Sequence, residues 1–331
     1  MTEADLADLG VHRIPVPVPF PQAGGPVNVY LIEERGGGLL LWDSGIGSAE
    51  GTAALEEGFR RHARRFDEVR RIVISHGHVD HYGAARFVEE RHGGEIPAFA
   101  HPADMPKMAE GGPRWKDRLP LIGAYLLKLG VPAEVLAAIG EQSSRSFGLA
   151  RRVREVRPVS EGEVIETRHL KLRVRHMPGH TPGLLCLHEE EKRLFFSADH
   201  LLEKVSPNPI LELGPNGEEG VFRPLLAYVE SVARLRALDV DLVLPGHGPP
   251  FSGHREVIDR LVAFYEKRQA RIRELLSQGP RSAWEISRAL FPAARPIDAF
   301  LTVSETIANL EVLEHRGEAR RALVDGTYRF R

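Results

Sequence analysis

An α/β layered fold, with sheets inside and helices outside, is what this 331-residue chain predicts, and three observations carry the prediction. Strand-like runs alternate with amphipathic helical stretches through the first hundred residues. A second set of strand-like runs follows between 156 and 205. Thirdly, the β-branched run Ile72-Val73-Ile74 reads as a buried strand that ends abruptly in His76, His78, Asp80 and His81, four metal-ligand residue types within six positions.

In chain order, VHRIPVPVPF (residues 11 to 20) is broken by prolines and fits an edge strand or a loop. VNVYLIE and GGLLLWDSG are β-rich runs that form a hairpin across Glu34 to Gly38, the second ending at Asp43-Ser44-Gly45. Ala53 to Phe66 predicts an arginine-rich amphipathic helix, and Gly83 to His92 a second helix, stopped by Gly93-Gly94 before the short strand IPAFA. Residues 102 to 154 lack strand signals. LPLIGAYLLKLG and PAEVLAAIG read there as two helices with wide apolar faces, split at Gly130-Val131-Pro132.

Strands return as EVIETR, LKLRVRHM, GLLCLHEE and RLFFSAD. Phe222 to Leu238 predicts an amphipathic helix, VDLVLP a buried strand ending in Gly246-His247-Gly248, and Arg255 to Gln278 a long charged helix. The last fifty residues hold SAWEISRALF, a helix with a serine start, then a helix over Thr302 to Arg316 and a hairpin turning at Asp325-Gly326.

The spacing within IVISHGHVDHYG is chemically specific. Side chains of an extended segment repeat every second residue, so His76 and His78 point the same way at the end of a strand. If the chain then turns into a helix, Asp80 and His81 face a second point nearby, giving one metal for each pair. Imidazole and carboxylate without thiolate suit zinc, and tolerate iron or manganese.

HGHVDH resembles the HxHxDH motif of the metallo-β-lactamase-fold hydrolases, and the later His180 in MPGHTPG, Asp199 in LFFSAD and His247 in VLPGHG stand in that superfamily's order, over roughly residues 10 to 275. The resemblance implies a four-layer αββα sandwich with a helical insertion at about 102 to 154. It implies two divalent ions: His76, His78 and His180 hold the first, Asp80, His81 and His247 the second, and Asp199 bridges them. It also implies that Asp43 orients the metal loop, that Asp80 orients the nucleophile, and that hydroxide formed from a shared water attacks a carbonyl carbon or phosphorus. The adjacent His200 is assigned to structure or to support of the ligands, because neighbouring strand residues face opposite ways, and a role in the pocket stays open.

Departures narrow the reading. The most familiar β-lactamases place arginine after the motif's aspartate and cysteine at the bridging position, where this chain has His81 and Asp199. Diiron relatives carry glutamate in place of His78. Persulfide-oxidising relatives with a single iron, and RNA-processing relatives, share the motif and stay open as alternatives.

Residues 1 to 278 are expected to form the catalytic domain and 279 to 331 a small domain that resembles the winged-helix module of some relatives. That module often binds nucleic acid, yet this segment carries eight arginines against seven acids, and the whole chain has a net charge of −2 and a pI near 6.7. Such a balance disfavours nucleic acid and anionic membrane. Packing on the main domain, or on a second copy in a homodimer, is the expectation instead. The insertion counts nine basic against five acidic residues, so an apolar lid with a basic rim is one reading and a helical pair completing the core is the other. One cysteine, Cys186, permits no internal disulfide, and the polar start MTEADLADLG reads as a cytoplasmic protein without a secretory signal. The functional expectation is a metal-dependent hydrolase of a small-molecule ester, thioester or lactone.

Overall fold

The computed structural model describes residues 3–20 and 23–331, and the side chains of all of these except residues 3, 112–115, 142, 145 and 147. The first sheet has six strands in the order of the chain: β1 (Val11–Val16), β2 (Val27–Glu33), β3 (Leu39–Trp42), β4 (Val69–Val73), β5 (Ala98–Ala100) and β6 (Val156–Pro158). β1 to β3 pair antiparallel and β3 to β6 parallel. The proline-broken β1 sits at the sheet edge, where a missing amide costs no ladder bond. The second sheet runs β11-β10-β9-β8-β7, from β7 (Val164–Glu166), β8 (Lys171–His176), β9 (Leu185–Glu189), β10 (Leu194–Ala198) and β11 (Leu242–Pro245).

The two sheets face each other across a core that includes Tyr30, Trp42, Val73, Leu172, Leu187, Phe196 and Leu244. The opposite face of the first sheet is covered by α2 (Ala49–Arg61), α3 (Val79–Tyr82) and α4 (Ala85–His92), through Leu55, Phe59, Tyr82 and Val88, while α1 (Glu3–Asp8) caps β1. On the opposite face of the second sheet lie α8 (Pro224–Arg236) and α9 (His254–Ser277), with Leu225, Tyr228, Val232 and Ile258 against Phe195, Val243 and the buried thiol of Cys186. Strands buried on both faces explain why LLLW and LFFSA read as unbroken apolar runs.

Several boundaries depart from the sequence reading. The helix expected over 53–66 begins at Ala49, capped by Ser48, and ends at Arg61, because Ala63 takes a left-handed φ of 51°. The helix expected from Gly83 begins at Ala85, and a separate single turn ahead of it, Val79–Tyr82, carries Asp80 and His81. β6 has no alternating pattern and was not legible.

The insertion holds α5 (Met105–Glu110), α6 (Gly112–Lys128) and α7 (Ala133–Ser146). Ile122, Leu126, Leu129, Val135 and Ile139 are spent in a core shared with Ile286, Val303, Ile307, Leu310 and Phe330 of the C-terminal segment. That segment comprises α10 (Ala283–Leu290), α11 (Ala299–His315) and the hairpin β12 (Arg321–Val324) and β13 (Thr327–Phe330). The serine start is a capping box, with Ser282 and Glu285 each bonding the other's backbone amide. α11 is buried continuously from Val303 to Leu313, so the helix that would enter a nucleic-acid groove in a winged-helix protein is enclosed. Its Glu305 pairs with Arg268 of α9 at 3.0 Å.

Candidate metal centre

Every residue singled out as a metal ligand arrives at one place, the end of the sandwich where β4, β10 and β11 finish. Three donor groups form there: His76, His78 and His180; His76, His81 and Asp199; and Asp80, His81 and His247, each group's donor atoms lying within 4.8 Å of one another. His76 and His78 follow β4 and meet at 3.0 Å, Nε2 to Nδ1. The single turn of α3 swings Asp80 and His81 to the adjoining point, as the strand-then-helix reading required. Asp199 lies between the points: its carboxylate is 3.4 Å from His81 Nε2, 3.4 Å from His180 Nε2 and 3.6 Å from His247 Nε2.

The outer nitrogens of these rings decide what the inner ones offer. His180 Nδ1 donates to the Asn208 carbonyl at 2.9 Å and His247 Nδ1 to the Gly25 carbonyl at 3.0 Å. His81 Nδ1 donates to the Asp43 carboxylate at 2.8 Å. Asp43 also takes the Ser75 hydroxyl at 2.8 Å, which leaves that oxygen to accept from His76 Nδ1 at 3.0 Å. Each partner is an acceptor, so the outer nitrogen of each ring holds a proton, and each ring, when neutral, turns its Nε2 lone pair inward. His81 Nε2, His180 Nε2 and Asp199 Oδ1 are buried and make no hydrogen bond. Converging lone pairs without hydrogen-bond donors fit a bound cation.

The electrostatics agree. Burial, then the neighbouring rings, hold His76 and His78 well below the ordinary histidine value, and His180 is lowered chiefly by burial. Burial alone would raise the carboxyls, yet His247 and His81 hold Asp199 far below its usual range, and His81 and His247 bring Asp80 to about 2. Burial opposes a proton on His81, but Asp199, Asp43 and Asp80 outweigh it and raise that ring well above its ordinary value. The negative field that retains a proton there is the field a divalent ion would neutralise.

Local backbone makes this convergence feasible. Asp43 and Ala198 both take left-handed φ values, 60° and 45°, where strands turn into the site. A Cβ on Gly246 would fall 2.2 Å from Asp199 Oδ1, so glycine there is a matter of room. Gly248 meets nothing within 4 Å and is needed for its φ of 80° instead. His200 stands apart: burial and Arg234 bring it down to about 3, its ring lies 5.1 Å from that of Tyr228, and it joins none of the donor groups.

The sequence reading missed Asp104. Fully buried ahead of α5, it accepts the Gly77 amide at 3.0 Å and the Thr181 hydroxyl at 2.6 Å through one oxygen. Its other oxygen is 3.3 Å from the buried ammonium of Lys107, which also pairs with Glu212. In the sequence Asp104 was one charge among fourteen in the insertion, with no motif around it.

A cavity of about 790 Å³ opens on the cluster, with His78, Asp80, His180, Asp199 and His247 in its wall. Among the described residues of the insertion, Ser143 and Ser146 reach it; most of the remaining wall comes from residues 202–210, α9 and the start of α11.

The family model Metallo-beta-lactamase superfamily matches residues 23–247, a span that contains all seven donors. The chain belongs to the metallo-beta-lactamase superfamily. A second model, Metallo-beta-lactamase-like, C-terminal domain, matches residues 270–331. This superfamily member is 31% identical over 308 residues to the probable metallo-hydrolase YqjP of Bacillus subtilis (strain 168), covering 91% of this chain and 92% of the relative. It is 26% identical over 250 residues to the acyl-coenzyme A thioesterase MBLAC2 of Gallus gallus, covering 71% and 77%. Among solved structures, a metallo-beta-lactamase family protein from Thermus thermophilus superposes with a TM-score of 0.80 at 30% identity, over 97% of this chain and 98% of that one. No helix among the described residues is long and apolar enough to cross a membrane.

Proposed function

We propose that this metal-dependent hydrolase cleaves a small-molecule ester or thioester, using His76, His78 and His180 for one divalent ion, Asp80, His81 and His247 for another, and Asp199 between them. The observation that carries the reading is the convergence of the Nε2 atoms of His81, His180 and His247 on the Asp199 carboxylate at the foot of a cavity, with His76 in the same donor group. Divalent ions held by these residues would lower the pKa of water from about 15.7 toward 7 and would polarise an acceptor oxygen. Zinc suits the thiolate-free donor set best.

In the reaction proposed, oxygen from water bonds to the carbonyl carbon, the carbon–sulfur or carbon–oxygen bond breaks, and the departing thiol or alcohol takes the proton. Asp80, ionised down to about pH 2 in the chain alone, lines the cavity and orients the attacking oxygen. Asp43, Ser75, Asn208 and Gly25 hold the imidazoles in their ligating tautomer. The acyl-coenzyme A thioesterase relative acts on a bond of this kind, which supports the reading.

We place the catalytic domain at residues 1–278 and give 279–331 a wall-building role. Nucleic acid is the less supported substrate: Arg321 and Arg329 of the terminal hairpin are paired with Glu314 and Glu285. Purified protein loaded with zinc, manganese or iron is to be offered ester, thioester, lactone and single-stranded RNA. Metal-dependent release of acid from an ester or thioester is expected. Cleavage of RNA alone would overturn the proposal.

A further inference from the structure

We infer that the cavity beside the histidine cluster is a site for a straight acyl chain, whose length is gauged by α9 and the first turn of α11. The inference rests on the ester and thioester reading above and deepens it.

One wall of the cavity is the metal cluster, so whatever fills the rest is attached to, or continuous with, the reacting group. The remaining lining is mainly hydrocarbon. Val257, Leu261 and Phe264 stand at i, i+4 and i+7 along α9, one stripe of that helix. Phe300 and Leu301 come from the start of α11, and Leu202 from the loop after Asp199. Leu202 and Leu261 are buried, whereas Phe264, Phe300 and Leu301 keep partial exposure.

Two polar groups in the wall, the Ser143 hydroxyl and the Asn208 side-chain amide nitrogen, are committed within the protein, while the Asn208 side-chain oxygen is buried without a partner. Ser143 donates to the Ile139 carbonyl at 2.8 Å. Asn208 accepts from His180 through its carbonyl and donates its side-chain amide to the Leu301 carbonyl at 3.4 Å. A sugar or a peptide would leave many of its own hydrogen-bonding groups unmatched in such a wall, which costs more than the contact returns. A polyanion fares no better, since Lys204 and Arg260 share the lining with Glu203, Asp80 and Asp199. An alkyl chain asks for nothing but apolar surface. Its charged or polar leaving portion can remain at the solvent end, where Glu203, Lys204 and Arg260 are exposed. A volume of about 790 Å³ lies within the range of pockets that enclose a drug-sized ligand, room for a chain on the order of ten carbons.

The same wall gives the C-terminal segment a task. Phe300 and Leu301 belong to α11, and the Asn208 amide ties that helix to the loop that orients His180. Chain length and the pose of one donor ring are thereby read by a single residue pair.

The test uses the full-length, metal-loaded protein in two arms. In the first, p-nitrophenyl esters and acyl thioesters from two to about twelve carbons are turned over, and kcat/KM is expected to rise about fourfold per methylene until the cavity is full. Leu301→Trp should move the optimum to shorter chains and Phe264→Ala to longer ones, read as the ratio of long-chain to short-chain kcat/KM, with melting temperature and bound metal measured beside it. In the second arm, straight-chain carboxylates from acetate to dodecanoate displace a fluorescent fatty-acid probe, with affinity growing with length and weakened for the long members by Leu301→Trp. Turnover with a flat length profile in folded, metal-loaded protein overturns the inference and leaves the hydrolase reading standing. Absence of turnover on every ester and thioester sinks the hydrolase reading, and the displacement arm still decides the chain site: length-independent displacement refutes it.

Discussion

The hydroxyl of Thr181 donates to the buried carboxylate of Asp104 at 2.6 Å, and the oxygen that receives it also receives the Gly77 amide. One atom therefore fastens the turn between His76 and His78 to the loop that carries His180. A carboxylate holding ligand-bearing loops is worth about 10- to 100-fold in metal affinity when removed. Asp104→Ala should weaken the ion proposed for the three-histidine group by that factor, and Asp104→Asn, which keeps an acceptor oxygen, should recover part of it. Competition with a chromogenic chelator measures both.

Asp43 acts on the other ion. It takes His81 Nδ1, the Ser75 amide and the Ser75 hydroxyl at once, from a left-handed backbone that asparagine also tolerates. Asp43→Asn keeps the turn and removes one acceptor and the charge. A loss of about 10-fold or more in affinity for the ion held by Asp80, His81 and His247 is expected, with a melting temperature close to that of the parent. Cobalt substitution, followed by its visible spectrum, separates the two ions.

Lys107 is a structural counterpart. Its buried ammonium stands between Asp104 and Glu212, whose combined charges raise its pKa despite burial. Lys107→Met would leave two carboxylates without their cation, at a cost of about 3 to 5 kcal/mol. Urea unfolding of the metal-free chain reads this without interference from bound ions.

Glu311 on α11 gives a pH signature outside the metal centre. Burial pushes its carboxyl up to about 7, against the pull of Arg321 and Arg223. The folded chain thus retains a proton that the unfolded chain has released above its ordinary value of 4.5. Stability contributed by that proton is complete below 4.5 and is lost as pH rises through about 7. Glu311→Gln should flatten this slope, gaining on the order of 3 kcal/mol over the parent at the alkaline end of the window. Urea midpoints across the pH range check it.

Much of the centre was legible because its chemistry is local: HGHVDH needs only a strand end and one turn of helix to split four donors between two points. The distant His180, Asp199 and His247 were found through family order, since nothing in periodicity joins loops so far apart. Asp104 and the cavity wall were invisible for the same physical reason. Asp104 works through a backbone amide and a hydroxyl, neither of which leaves a residue pattern, and Phe264 and Phe300 are aromatics whose neighbours on their own helices look like ordinary core. The insertion's apolar faces were seen correctly as apolar, but sequence carries no sign of which surface they meet, and they meet the C-terminal segment.

The most direct measurement is metal stoichiometry by mass spectrometry of the native protein and of Asp199→Ala, each reconstituted with zinc and dialysed. Two ions per chain are expected in the parent, with the variant losing metal and hydrolysis together. A variant that keeps both ions and full turnover would contradict the role of Asp199 as the carboxylate shared by the two ions.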